Sequence, residues 1–156
     1  AETGLSVITD LTKEGVRLKI WRTNQLNFKY TNDGTGVAFN PYAGAYTFDG
    51  DPKMPGTKVT GSQSAEIGLI HELAHAHDDL VNEQYLRHFK DESSLPDYKN
   101  MAEKIAVEIE TMYLREMNQM FNLNNAIRRN DYGEGFRTES SSSTVPVGDP
   151  RRPPKQ

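Results

Sequence analysis

Leu69-Ile70-His71-Glu72-Leu73-Ala74-His75-Ala76-His77-Asp78-Asp79 is the stretch that decides how the chain is read. Within it His71, Glu72 and His75 have the spacing H-E-x-x-H. On a helix, residues four apart project from one face. His71 and His75 therefore offer two imidazole nitrogens to a single point, as a tetrahedral zinc ion requires. Two protein ligands hold a metal poorly, so a third is expected elsewhere, and a fourth position left open makes such a site catalytic rather than structural. Glu72, beside that position, has the place of a general base. The bland alternative is an amphipathic helix whose histidines bind nothing. Ile67, Leu69, Ile70, Leu73 and Ala74 weigh against it, because they make the segment largely apolar, and buried polar side chains cost free energy unless partnered.

Composition sets the bounds. With 156 residues, 35% apolar and 26% charged, the chain suits one domain with its own core. The formal net charge of −4, without a basic stripe interleaved with aromatics, argues against a nucleic-acid partner. There is no cysteine, which excludes disulfides and cysteine zinc knuckles and leaves His and carboxylates as the strong ligands. No run of 18 apolar residues predicts a membrane span. The opening AETGLSVITD lacks the basic and apolar regions of a signal peptide. Such a start is expected of an excised domain or of a protein exported by a dedicated machine.

Outward from the motif, residues 1–15 read as a polar segment ending in a turn. Val16, Leu18 and Ile20 alternate with Arg17, Lys19 and Trp21, a period of two that predicts a half-buried strand. Residues 26–30 alternate likewise, Asn32-Asp33-Gly34 signals a hairpin turn, and residues 36–40 and 44–48 are short strands. Residues 16–48 thus predict a small, mostly antiparallel sheet. Thr60 and Gln63 have capping-box spacing, which starts the motif helix near residue 61. Leu80, Tyr85, Leu86 and Phe89 extend its apolar side to about residue 90. A second helix is predicted over 97–121, with Ser94 as cap, Pro96 in its first turn and a core stripe of Met101, Ile105, Ile109, Met112 and Met120. Residues 126–137 read as ordered but irregular. From Thr138, serines and prolines predict a disordered tail. The expected division is a catalytic domain over 1–137 and a tail over 138–156.

The third ligand is sought on the second helix, at Glu103, Glu108 or Glu110. Glu103 and Glu110 are two turns apart and share a face with Ala106 and Val107, whereas Glu108 lies to the side. Two inward carboxylates are costly unless something positive meets them. One can bind the metal while the other orients a histidine from behind. His77 lies too far around its helix to share that metal, Asp78 and Asp79 follow the motif too closely to be ligands with assurance, and His88 is expected to be exposed.

HELAHAHDDL resembles the HEL-x-HA-x-H-x-L helix of the clostridial neurotoxin light chains and of the compact NleD-type bacterial effector metallopeptidases. In those groups a glutamate heading E-x-x-[small]-[apolar] is the third zinc ligand, and Glu103-Lys104-Ile105-Ala106-Val107 is similar to it. Glu110 matches a further acidic position more loosely. Their R-x-x-Y pair, which faces the metal, has its counterpart in Arg129-Asn130-Asp131-Tyr132, with Arg128 competing for the arginine role. A guanidinium and a phenol there would stabilise a tetrahedral oxyanion. The chain departs from the resemblance at Val81-Asn82, where the neurotoxins carry Tyr-Gly, and at Glu108, where a glycine is common. In that architecture the substrate lies extended beside an edge strand before the zinc helix, which here implies Val37, Ala38 and Phe39.

The resemblance thus implies an α+β, zincin-like fold. It implies one Zn2+ per chain on His71, His75 and Glu103, with Glu72 as general base, Arg129 and Tyr132 as oxyanion donors, and Glu110 behind a ligand. The implied activity is hydrolysis of a protein substrate, such as a host signalling protein. The enzyme would be a bacterial effector or toxin, secreted or translocated into the cytosol of a target cell. The alternatives are a zinc hydrolase of a small peptide or cell-wall substrate, a non-catalytic zinc-stabilised binding domain, and an accidental motif.

Overall fold

The computed structural model describes residues 2–13, 15, 18–26, 28–31, 36–50, 53–127 and 135–147. Four helices and six short strands follow in the order α1 (Glu2–Lys13), β1 (Ile20–Arg22), β2 (Lys29–Thr31), β3 (Gly36–Phe39), β4 (Ala43–Phe48), β5 (Val59–Gln63), α2 (Ala65–Leu80), α3 (Tyr85–Lys90), α4 (Met101–Phe121) and β6 (Gly135–Arg137). The class is α+β. No helix of the described residues is long and apolar enough to cross a membrane.

The strands form two sheets rather than one. The first has the order β1-β3-β2, with β1 parallel and β2 antiparallel to β3. The second has the order β5-β4-β6 and is antiparallel throughout. Strand β3 is therefore central, not an edge. Its backbone pairs on both sides, Ala38 with Trp21 and with Lys29, and Val37 has no exposed surface. The expectation that Val37, Ala38 and Phe39 receive an extended substrate is corrected on that ground, because β-addition needs unpaired backbone groups. Gly36 admits the crowding: at φ 115°, a Cβ there would fall 1.9 Å from the Lys19 carbonyl oxygen.

Residues 2–13, read from the sequence only as a polar segment, are helical. Gly4, Val7 and Leu11 recur at helical spacing and form the buried face. The side-chain hydroxyl and backbone N–H of Thr3 both donate to Glu116 of α4, and His77 meets Asp10 at 3.1 Å. The capping-box reading fails because Thr60 and Gln63 lie in β5. There Thr60 bonds Thr47 and the Gln63 side chain is buried. The motif helix starts one residue beyond Ser64 and stops at Leu80, where a turn containing Glu83 at φ 57° sets off α3 as a separate helix. Helix α4 begins at Met101, not 97. Asn100 caps it by accepting the backbone N–H of Glu103 at 3.0 Å. Its buried stripe is Ala102, Ala106, Val107, Glu110 and Leu114, while Met112 and Met120 point outward.

The stretch at 126–137 ends in a true strand, β6 on β4. The expected disordered tail is tied down as far as Val147. Glu66 N–H donates to the Ser141 carbonyl, the Ser62 hydroxyl donates to the Thr144 carbonyl, and Val147 N–H donates to the Arg137 carbonyl. Residues 148–156 of that tail, and the hairpin turn expected at Asn32-Asp33-Gly34, lie outside the described residues. The core gathers Val7, Leu11, Tyr30, Val37, Ile70, Leu73, Tyr85 and Ala102 beneath α2 and α4. Helices α2 and α4 pack directly on each other, and small residues at the contact, Ala74, Ala102 and Ala106, permit the approach.

Candidate metal centre

Helix α2 brings His71 and His75 onto its buried face, 1% and 4% exposed, with ring centroids 4.8 Å apart. The first turn of α4 brings Glu103 across to them. Glu103 Oε2 lies 3.3 Å from His71 Nε2, and its Oε1 lies 3.2 Å from His75 Nε2. One ligand atom from each of the three falls within 4.8 Å of the others, so the group could hold a metal ion. Capping by Asn100 fixes the turn that carries Glu103.

Behind this group stands Glu110, which has no exposed surface. Its Oε2 lies 2.8 Å from His71 Nδ1, and its Oε1 accepts from Gln63 Nε2 at 2.8 Å. Gln63 also donates to the Ala126 carbonyl at 2.9 Å, so β5 anchors the carboxylate. An ionised Glu110 accepts a hydrogen bond from His71 Nδ1–H, which in a neutral imidazole leaves the Nε2 lone pair aimed at Glu103. Two acceptors at 3.3 Å repel unless a proton or a cation lies between them. The donor set is one that a metal ion could use: two imidazoles and a carboxylate in a compact, mostly buried cluster, with a carboxylate behind one imidazole.

Protons on the two Nε2 atoms can fill the same space. Burial pushes the Glu103 carboxyl up, but hydrogen bonds from protonated His71 and His75 and their charge outweigh it and hold it well below the usual carboxylate range. The site therefore favours an ionised Glu103 facing positive charge, whether proton or metal.

Glu72 is buried, and its Oε2 accepts the backbone N–H of Tyr30 at 2.6 Å. Strand β2 thus fixes the carboxylate next to the histidines. A cavity of about 20 Å³, the size of one water molecule, is bordered by Phe28, Ala45, Ser64, Gly68, His71 and Glu72. The Ser64 hydroxyl is buried and has no partner among the described residues, so a small polar guest there would satisfy it. Phe28 packs against Gly68, where a Cβ would come within 2.6 Å of the ring.

Tyr85 enters from α3. Its ring meets His75 edge-on at 5.4 Å and Tyr30 at 5.5 Å. Burial, then the charges of Glu103 and Glu72, push its phenol up to about 12. It stays a protonated donor at neutral pH.

The structure therefore brings His71, Glu72, His75, Glu103 and Glu110 together. Val37, Ala38 and Phe39 lie in a strand paired on both sides. Arg129 and Tyr132, like Arg128, lie outside the described residues. His77 and Asp79 serve elsewhere, on Asp10 and on the Tyr30 hydroxyl. His88 is half-buried on Asp78 at 2.8 Å rather than exposed. Sequence reasoning missed Gln63, Tyr30, Ser64 and Tyr85. Only Gln63 carried a local signal, and it pointed to a helix start. Comparison with family models, with curated proteins and with solved structures finds no match to the chain.

Proposed function

We propose that the chain is a zinc-dependent endopeptidase of zincin-like architecture, akin to the NleD-type effectors. It acts on a protein substrate in the cytosol of a target cell after secretion or translocation. The observation that carries the reading is the convergence of both Nε2 atoms on Glu103, with Glu72 on the same helix and Glu110 behind His71. His71, His75 and Glu103 would hold the ion, which when bound would supply Lewis acidity for a peptide carbonyl and for water at neutral pH. Glu72 takes the proton during attack and returns it to the leaving amine. The Tyr30 N–H keeps that carboxylate in place. Tyr85 provides a phenolic donor for the developing oxyanion, a role the resemblance gives to Arg129 and Tyr132.

One observation favours a second reading, a zinc-stabilised binding domain without turnover. Both histidines are almost fully buried and the adjoining cavity holds only about 20 Å³. Zinc content and proteolysis separate the two. The endopeptidase reading expects one zinc per chain and cleavage of unfolded protein substrates that stops on chelation and in Glu72→Gln. Zinc without cleavage favours the binding domain. Absence of zinc sinks both.

A further inference from the structure

A second cavity, about 560 Å³, opens between the ends of the two sheets. Arg22 at the end of β1 and Arg137 at the end of β6 both line it, with Asn40, Tyr42, Thr138 and Glu139. The Arg22 guanidinium sits 5.3 Å above the Tyr42 ring, which orients it. Although Glu139 borders the same space, neither arginine forms an ion pair among the described residues. The floor is rigid. Asn40 is buried, donating to the Gln25 carbonyl at 3.0 Å and accepting the Tyr42 N–H at 2.9 Å, and Thr138 N–H donates to the Tyr42 carbonyl at 2.8 Å. Two exposed guanidiniums without an ion-pair partner among the described residues, over a hydrogen-bonded polar floor, form a receptor for an oxyanion, since the planar fork matches carboxylate and phosphate geometry. In a chain of net charge −4 it is a local exception to the overall sign.

The register links this cavity to the metal centre. Arg137 pairs with Ala43, and two residues along β4, about 7 Å, Ala45 borders the small cavity at His71 and Glu72. Arg22 pairs with Phe39, whose ring lies 5.8 Å from Phe28, another wall of that small cavity. Each arginine is thus joined, through its paired strand, to a wall of the small cavity at Glu72.

We propose that Arg22 and Arg137 form a subsite for an anionic side chain, carboxylate or phosphate, of an extended peptide that reaches the metal centre. The peptide's cleavage rests on the endopeptidase reading, but anion capture does not.

The test uses the full chain loaded with zinc and three fluorescent pentapeptides that differ only at the central residue: glutamate, phosphoserine or glutamine. Binding is read by anisotropy at low and high salt. Wild type should bind at least one anionic peptide about tenfold or more tighter than the glutamine peptide, with the preference shrinking in salt. Whichever anion binds tighter identifies the source. Arg22→Ala with Arg137→Ala should abolish the preference, and the two lysine replacements should restore it in part. Equal binding of all three peptides by wild type overturns the subsite, whether or not the alanine variant folds. So does an undiminished preference in a folded alanine variant. Anion preference in a protein that cleaves nothing overturns the endopeptidase reading alone, and cleavage without anion preference overturns the subsite alone.

Discussion

The Nδ1 atom of His71 lies 2.8 Å from the Oε2 of Glu110, a carboxylate with no surface exposed to solvent. A carboxylate so placed fixes the tautomer and tilt of the imidazole and raises its basicity. Glu110→Gln should therefore fold but bind zinc about 10–100-fold more weakly, measured by competition with a chelator. Unchanged affinity would reduce Glu110 to a partner of Gln63.

Glu72 and Glu103 should part company when each is changed. Glu103→Ala removes one of three donors, so zinc loading should fall to a small fraction of the wild-type level. Glu72→Gln keeps an acceptor for the Tyr30 N–H and should retain a full equivalent of zinc. Its turnover should drop by about 10²–10⁴-fold. An active Glu72→Gln protein would remove the general base from the mechanism.

Tyr85 permits a cleaner separation of packing from chemistry. Tyr85→Phe preserves the ring contacts with His75 and Tyr30, so melting temperature and zinc content should not move. If the phenol serves the oxyanion, kcat falls by roughly 10²-fold with KM little changed. Tyr85→Ala should instead destabilise the fold by about 3–5 kcal/mol through the cavity it leaves. Equal kcat in wild type and Tyr85→Phe confines the residue to packing.

The bond from Thr3 to Glu116 predicts an acid-sensitive attachment of α1. Hydrogen bonds from the Thr3 hydroxyl and N–H hold the Glu116 carboxyl below its ordinary value. A depressed folded-state pKa gives stability that is present above the unfolded pKa and lost as pH falls through the folded one. The protection factors of α1 amides should fall as pH drops through the usual carboxylate range and below, relative to a helix such as α2 in the same sample. Glu116→Gln should level that difference. Protection in α1 that ignores both pH and the substitution would mean that Val7 and Leu11 alone hold the helix.

The centre was legible in the sequence because its geometry is local. H-E-x-x-H fixes two side chains within one helical turn, and seven residues of α4 fix Glu103 and Glu110 on one face. What the sequence hid depends on distant partners. Gln63 and Thr60 matched a capping box, but pairing with β4 won over that local preference. The stripe of Met101, Ile105, Ile109, Met112 and Met120 had helical period, yet the small and acidic residues beside it face α2. Apolar character alone did not reveal which side of α4 makes room for a close helix. The resemblance implied that β3 is an edge, and only the strand pairing exposes it as central. The α1 face of Gly4, Val7 and Leu11 was present in the sequence but diluted by Thr, Ser and Asp.

His75 and Glu103 belong to different helices, with α3 and its flanking turns strung between them. An ion bound by both is a crosslink as well as a reagent. Its free concentration would then set the fraction of chain that is folded, by mass action: about 4 kcal/mol at a thousandfold excess over the dissociation constant. The metal supply of the compartment would act as a thermostat on the protein's lifetime, with scarcity exposing the α2–α4 seam to proteases before any change in catalytic rate is felt.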